Sequence, residues 1–472
     1  LTAHPTRRIG IGIDFGTTNS VAAVYDGAAV RLLALEGLDP LLPSATYIDR
    51  RLQTRTGQSA IDQYIRDNTG RTVELIPEVI SETSQFVAHD DPEHPAAVDT
   101  VTERHYGKPI IDSGLQGRLF RGTKRLLGDP HVRRLMVFEH PFRLVALITP
   151  LLLRIRQTLD AEVGSVHCAH VGRPVNFEGR DPLRNALALS RLGEAYRYAG
   201  VPERQFYAEP VAAAVSFLHA HPDVVGEHLL TLDFGGGTLD FCVLRRRAVG
   251  FEVIATHGIA LGGDHIDQRL FRELLFPLLG KGELWRRRGM DREIETRFPF
   301  EDYEELLVNW AVTYTLNQNR YSAPVHDRIR QGGPGARKFG RLNELIQRNL
   351  SYAVFQAIKD FKARLSEAPS ARLDIPELDV DIELSRAEFE AIIAPQLHDV
   401  AAALDVTLAR AALRPDQIDI VLRTGGSSLI PAVRRLLCER FPHQVVDHDP
   451  FTSVAAGLAI ASYQRLPGMS DT

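Results

Sequence analysis

Two short segments hold the residues best suited to chemistry: Asp-Phe-Gly-Thr-Thr-Asn-Ser at Asp14–Ser20 and Asp-Phe-Gly-Gly-Gly-Thr-Leu-Asp at Asp233–Asp240. In the first, Gly16 lets the backbone approach a ligand closely, and Thr17 and Thr18 add hydroxyl donors beside consecutive N–H groups, a combination that suits a phosphate. Asp14 shares the phosphate's sign, so its expected role is to hold Mg²⁺ through water. Asp233 stands in the same place in the second segment. There Gly235, Gly236 and Gly237 can wrap a terminal phosphate with N–H groups, Thr238 offers a hydroxyl, and Asp240 adds a carboxylate. Either segment alone could equally be a hairpin turn between strands. Two copies in the same setting make coincidence a poor account.

Thr424–Ser428, Thr-Gly-Gly-Ser-Ser, reads alone as a strand-to-helix turn and, beside the phosphate turns, as a candidate for the nucleoside side. Glu209 sits where a strand runs into an alanine-rich helix, the junction at which α/β folds place site residues. Asp449–Ser462 is rich in small residues and is read as a tightly packed core helix.

These residues need elements to hold them. Ile9–Asp14, Val21–Gly27 and Ala28–Leu35 read as three strands with a tight turn after the first and a hairpin at Gly27. The same order recurs from Leu229: a strand, a glycine-rich turn, then two further strands through Gly258, which makes an internal duplication at domain scale. Between the copies, Pro182–Ala199 predicts a helix closed by Gly200 at C′ with Pro202 beyond, and a strand then leads into the helix Val211–His219. Glu283 to about Leu365 predicts a largely helical subdomain containing a mobile loop at Gln331–Arg341. Pro431 is placed to begin another helix.

With 472 residues, 44% of them hydrophobic and 24% charged, the chain has the composition of two or three globular domains. Its net charge of −5 supplies no general attraction for nucleic acid or anionic lipid, and neither partner is expected. Cys168, Cys242 and Cys438 follow no disulfide or zinc-site spacing, which fits a reducing cytoplasm. The apolar stretch around Leu135–Ile155 is interrupted by charges, and no signal core precedes Ile9, so neither a span nor a leader is expected.

At these motifs the chain resembles the ATPase domain of the seventy-kilodalton heat-shock (DnaK-type) chaperones, a branch of the actin and sugar-kinase superfamily. The resemblance rests on the two Asp-Phe-Gly turns, Val171–Phe177, Ala208–Val215, Leu261–Leu270 and the Thr424–Pro431 turn, in family order along nearly the whole chain. It implies an α/β, actin-like ATPase fold: two duplicated ribonuclease-H-like lobes flanking a nucleotide cleft that binds ATP or ADP with Mg²⁺. The lobes would be 1–222, with an outer subdomain inserted near 43–137, and 223–472, with a largely helical one near 264–394. Carried over by motif, Asp14 and Asp233 organise the metal's water shell, and Thr17, Thr18 and Gly235–Gly237 hold phosphate. Thr238 meets the γ-phosphate, Lys124 is the catalytic lysine, Glu209 acts with metal and water, and Asp240 lies near the nucleophile. Gly16, Asn19, Gly263, Lys362, Ser366, Gly425, Gly426 and Ser427 complete the nucleotide contacts.

The chain departs from that pattern in ways that matter. Leu429 stands where the family has an arginine stacked on adenine, Lys359 and Ala363 replace an acidic and a basic residue, and Asn19 replaces an aromatic one. Altered base selectivity is expected, with phosphate binding kept. With the chain ending at Thr472, no client-binding sandwich is expected, and it resembles the short bacterial relatives of the YegD type. The expected activity is slow ATP hydrolysis that drives lobe closure and is relayed to a protein partner such as a co-chaperone or exchange factor. A small-molecule kinase, an actin-like filament protein and a non-hydrolysing nucleotide sensor are the alternatives.

Overall fold

The computed structural model describes residues 8–88, 98–166, 168–177, 181–288, 293–446, 448–449 and 451–466, with side chains left aside at 76–88, 98–111 and 287–288. The chain divides into two compact units. One comprises Leu1–Arg66, Gly117–Leu279 and Tyr352–Thr472, and the other Asp67–Gln116 and Gly280–Ser351.

The larger unit is built on two mixed sheets that repeat one another strand for strand. The first runs β3 (Val30–Leu32), β2 (Asn19–Tyr25), β1 (Gly10–Phe15), β4 (Cys168–Arg173), β5 (Glu203–Ala208), with Leu42–Pro43 also paired to β2. The second runs β8 (Phe251–Ile259), β7 (Leu239–Arg246), β6 (His228–Phe234), β9 (Ile420–Thr424), β10 (Val445–Val446). In both, the first three strands are antiparallel and the last two join parallel to the first. The expected strand triplets are therefore present at both places. Register pairs Asp14 with Val21 in the first sheet but Asp233 with Asp240 in the second, so the extra carboxylate belongs to the second turn alone.

Helices α1 (Leu144–Val163), α2 (Pro182–Tyr198), α3 (Glu209–Ala220), α4 (Gly263–Leu270), α5 (Ser351–Glu367), α6 (Ala394–Ala411), α7 (Pro431–Arg440) and α8 (Ser453–Gln464) complete the layers of interest. Sequence signals set their ends. At α2, the Asp181 carboxylate caps the Leu183 N–H, Pro182 takes the first turn, and Gly200 adopts φ +88° beyond the last residue, as a left-handed stop requires.

Helices α3 and α8 owe their small residues to contact. A Cβ on Gly457 of α8 would lie 1.8 Å from the Ala212 carbonyl of α3, and one on Gly12 of β1 would lie 2.3 Å from the Ala455 carbonyl. Backbone therefore rests directly on backbone, and the core reading of this segment holds. Around that contact a single apolar cluster joins Val21 and Ala23 of the first sheet to Leu229, Leu244 and Leu422 of the second. Against the first sheet, α1 and α2 bury Leu147, Ile148, Ile155 and Leu192 with Ile13 and Val171.

The smaller unit corrects two expectations. Leu284–Arg288 and Glu293–Arg297 form a hairpin within the stretch read as helical. The segment read as a mobile loop at Gln331–Arg341 is mostly the start of a helix, Pro334–Gln347. Gly333 at φ +76° and Pro334 at the first helical position confine the turn to three residues, and Phe339, Leu342, Leu345 and Ile346 then give a buried face at helical spacing. Phe339 packs on Phe298 with ring centroids 4.5 Å apart. Among the described residues, no single helix is long and apolar enough to cross a membrane.

Candidate functional site

Each glycine turn is braced from behind by a neighbour. The Ser44 hydroxyl donates to the Gly16 carbonyl at 2.8 Å, and the Ser44 N–H donates to Thr18 O at 2.8 Å. In the second turn, the first N–H groups of α4 donate to it, Gly263 N to Gly235 O at 2.9 Å and Asp264 N to Gly236 O at 2.7 Å. The helix terminus and the turn thus satisfy one another's backbone groups. Gly425, at φ +77°, lies so close to the end of β6 that a Cβ would sit 2.5 Å from the Phe234 carbonyl carbon. At Gly16, Gly236, Gly263 and Gly425 a side chain would meet a close neighbour.

Between these turns lies a cavity of about 640 Å³, and every site residue expected from the sequence lines it. Asp14, Glu209, Asp233 and Asp240 surround Lys124, with Thr238 bonded to Asp240. Lys362, Ser366 and Gly263, from α5 and the start of α4, line the same cavity, as do Gly425, Gly426 and Ser427. All of them belong to the larger unit.

Lys124 sits in a short 3-10 helix, Thr123–Leu126, and is only 6% exposed. Its ammonium donates to Glu209 Oε1 at 2.6 Å. Burial works against the lysine's charge, but Glu209, then Asp14, outweigh it and hold its pKa above the usual lysine range. The acidic groups respond oppositely. Burial first, then Glu209, pushes the Asp14 carboxyl up to about 7. Asp233 is also raised to about 7, by burial and then by Asp240. Asp240 opens on the cavity but is closely surrounded by protein, and rises to about 6 through desolvation, with Glu209 adding to it.

Four carboxylates thus face one lysine. Asp14 Oδ1 is sealed from solvent with no hydrogen-bond partner among the described residues. That charge imbalance and orphaned oxygen fit a divalent cation. No three His, Cys, Asp or Glu side chains among the described residues stand close enough to share an ion directly.

Elsewhere on the cavity wall, Lys362 pairs with Asp267 at 2.6 Å, and the Asp267 carboxylate is fully buried. Lys362 also donates to the Gly263 carbonyl at 3.2 Å, so its ammonium ties α5 to α4 while its side chain lines the cavity. Lys359 lies 3.5 Å from Asp264.

Sequence reasoning passed over Asp267, Arg125 and Phe451. No local signal marks Asp267, whose partner Lys362 lies in a distant helix. A Cβ on Gly237 would lie 1.3 Å from Nη2 of Arg125, so the guanidinium rests on the second glycine turn. Among the described residues no carboxylate pairs with it, in contrast to Lys124, Lys359 and Lys362.

Comparison with known proteins follows this geometry. Residues 139–280 and 346–466 match the family described as Hsp70 protein. The chain is 28% identical to a chaperone protein HscA homolog of Azotobacter vinelandii over 96% of its own length and 57% of that protein. It is 28% identical to chaperone protein HscA of Pectobacterium carotovorum over 98% of the chain and 59% of the relative. Heat shock 70 kDa protein BIP3 of Oryza sativa is 27% identical over 95% and 56%. The chain therefore spans less than two thirds of the length of these relatives. With a match over more than half its residues, it belongs to the Hsp70 family.

Proposed function

We propose that this chain is a Mg²⁺-dependent ATPase that turns over slowly and signals its nucleotide state to a protein partner. One observation carries the reading: two glycine turns, from equivalent positions of two repeated sheets, converge with a buried lysine and four carboxylates on one cavity. In this reading the two sheets are the cores of two related lobes, each with an inserted outer part, and the nucleotide lies between them.

Each residue then has a task. N–H groups of Gly16–Thr18 and Gly235–Gly237 hold phosphate oxygens, with the Thr17 and Thr18 hydroxyls beside them. Thr238 contacts the terminal phosphate. Lys124, fixed by Glu209, neutralises charge developing on the transferred group, and Arg125 adds a second cation at Gly237. Asp240, with its raised pKa, is suited to accept the proton of an attacking water near neutral pH. Asp14 and Asp233 would hold Mg²⁺ through water, and the ion would neutralise phosphate charge.

Calorimetry with ATP and ADP, run alongside phosphate-release assays with and without Mg²⁺, tests the reading. Binding with Mg²⁺-dependent release supports it. A chain that binds neither nucleotide overturns it.

A second cavity of about 480 Å³ gives a reason to consider phosphoryl transfer to a small molecule. It shares Asn176, Thr238 and Asp240 with the first and adds His257 and Arg410. Phosphate appearing on an acceptor in a metabolite screen, rather than in water, would favour that reading.

A further inference from the structure

In the family that the chain resembles, an arginine that covers the base stands at the position of Leu429, yet the cavity wall beside Leu429 is not bare. Phe451 lines it and is 47% exposed, and Leu429, also on the wall, is 42% exposed. Large apolar side chains left this open on a cavity wall invite a flat apolar partner.

Phe451 is held in place from both sides. Its ring covers Gly426, where a Cβ would lie 2.8 Å from Cε1 and 3.0 Å from Cζ, so the glycine is what admits the ring. Its backbone is fixed by the Asp449 carboxylate, whose Oδ1 accepts from Phe451 N at 2.8 Å and from Thr452 N at 2.9 Å, just before α8 begins. An anchored aromatic of this kind has lost most of its freedom before any ligand arrives, which favours stacking.

We propose that Phe451, with Leu429 beside it, is the stacking platform for the nucleotide's base. The inference rests on the nucleotide reading of the cavity, whose wall holds the glycine turns together with Gly426 and Phe451. Stacking on an apolar ring recognises any purine face and does not read the hydrogen-bonding edge. Base discrimination should therefore be shallow, with ATP and GTP binding within about tenfold of one another.

The test is calorimetry with ATP, GTP and inorganic triphosphate, each with Mg²⁺, on the wild-type chain, F451A and F451W. F451A should lose about tenfold in affinity for both nucleotides and less than about twofold for triphosphate, because only the base is deprived of its platform. F451W should retain nucleotide affinity, and its added fluorescence should be quenched by ATP but not by triphosphate. The proposal is overturned if F451A binds ATP as the wild type does, if triphosphate affinity falls in parallel, or if the tryptophan is not quenched. A wild-type chain that binds neither ATP nor triphosphate removes the nucleotide reading itself. One that binds ATP but ignores F451A removes only the platform.

Discussion

Lys124 and Glu209 illustrate how much one contact decides. Removing the lysine leaves Glu209 uncompensated in a site already crowded with carboxylates, a loss of about 3–5 kcal/mol for a buried pair. K124A should therefore lower the turnover of bound ATP by about 100-fold or more while nucleotide affinity changes by only a few-fold. Single-turnover hydrolysis beside calorimetry measures both, and an equal loss in the two would remove the lysine from its catalytic role. Gly237 is as exacting. G237A places a methyl group where the Arg125 guanidinium lies, so it should weaken triphosphate binding and slow hydrolysis even though the substitution adds a single carbon. Unchanged affinity for triphosphate would show that Arg125 can move aside without consequence.

At the scale of elements, the backbone contact between α8 and α3 sets a stability prediction. G457V forces side-chain atoms into the Ala212 carbonyl, and overpacking of this kind costs about 1–3 kcal/mol or more. Urea denaturation should show it as a lower midpoint. Strand β4 carries a pH signature of its own. His170, nearly buried beside the Tyr207 ring and bonded to the Gln205 side chain, is lowered by desolvation to about 4. Unfolding releases it to about 6.5, so stability is full above that pH and falls as pH drops toward 4, by on the order of 3 kcal/mol. Comparing wild type with H170N across pH 4 to 7 should remove that increment.

Much of this was legible along the chain, because turns and helix ends are local chemistry. Asp181, Pro182 and Gly200 bracket α2 within a few residues, and the two Asp-Phe-Gly turns announce the sheet repeat. Where local signals conflicted, the reading failed. Gly332, Gly333, Pro334 and Gly335 look like a loop, but the apolar spacing from Phe339 to Ile346 makes the rest a helix. Contacts between distant segments were not legible: the Lys362 pair with Asp267 and the placing of Phe451 over Gly426 depend on how the layers meet.

For the molecule as a whole, a ligand that binds only the folded chain must stabilise it. Mg²⁺ and ATP together at about 100 times Kd should add about 2.7 kcal/mol, visible as a higher Tm that chelation with EDTA reverses. An unchanged Tm at saturating concentrations would speak against a nucleotide site. The bare contact of Gly457 on Ala212 carries a mechanical consequence here. Interlocking side chains between helices can repack and absorb a small displacement, but two backbones in direct contact have no such cushion. Helix α8 begins two residues after Phe451, and α3 begins with Glu209, the partner of Lys124. In the proposed reading, a base stacked on Phe451 would bear on α8 and, through the Gly457 contact with Ala212, on α3, whose first residue Glu209 holds Lys124.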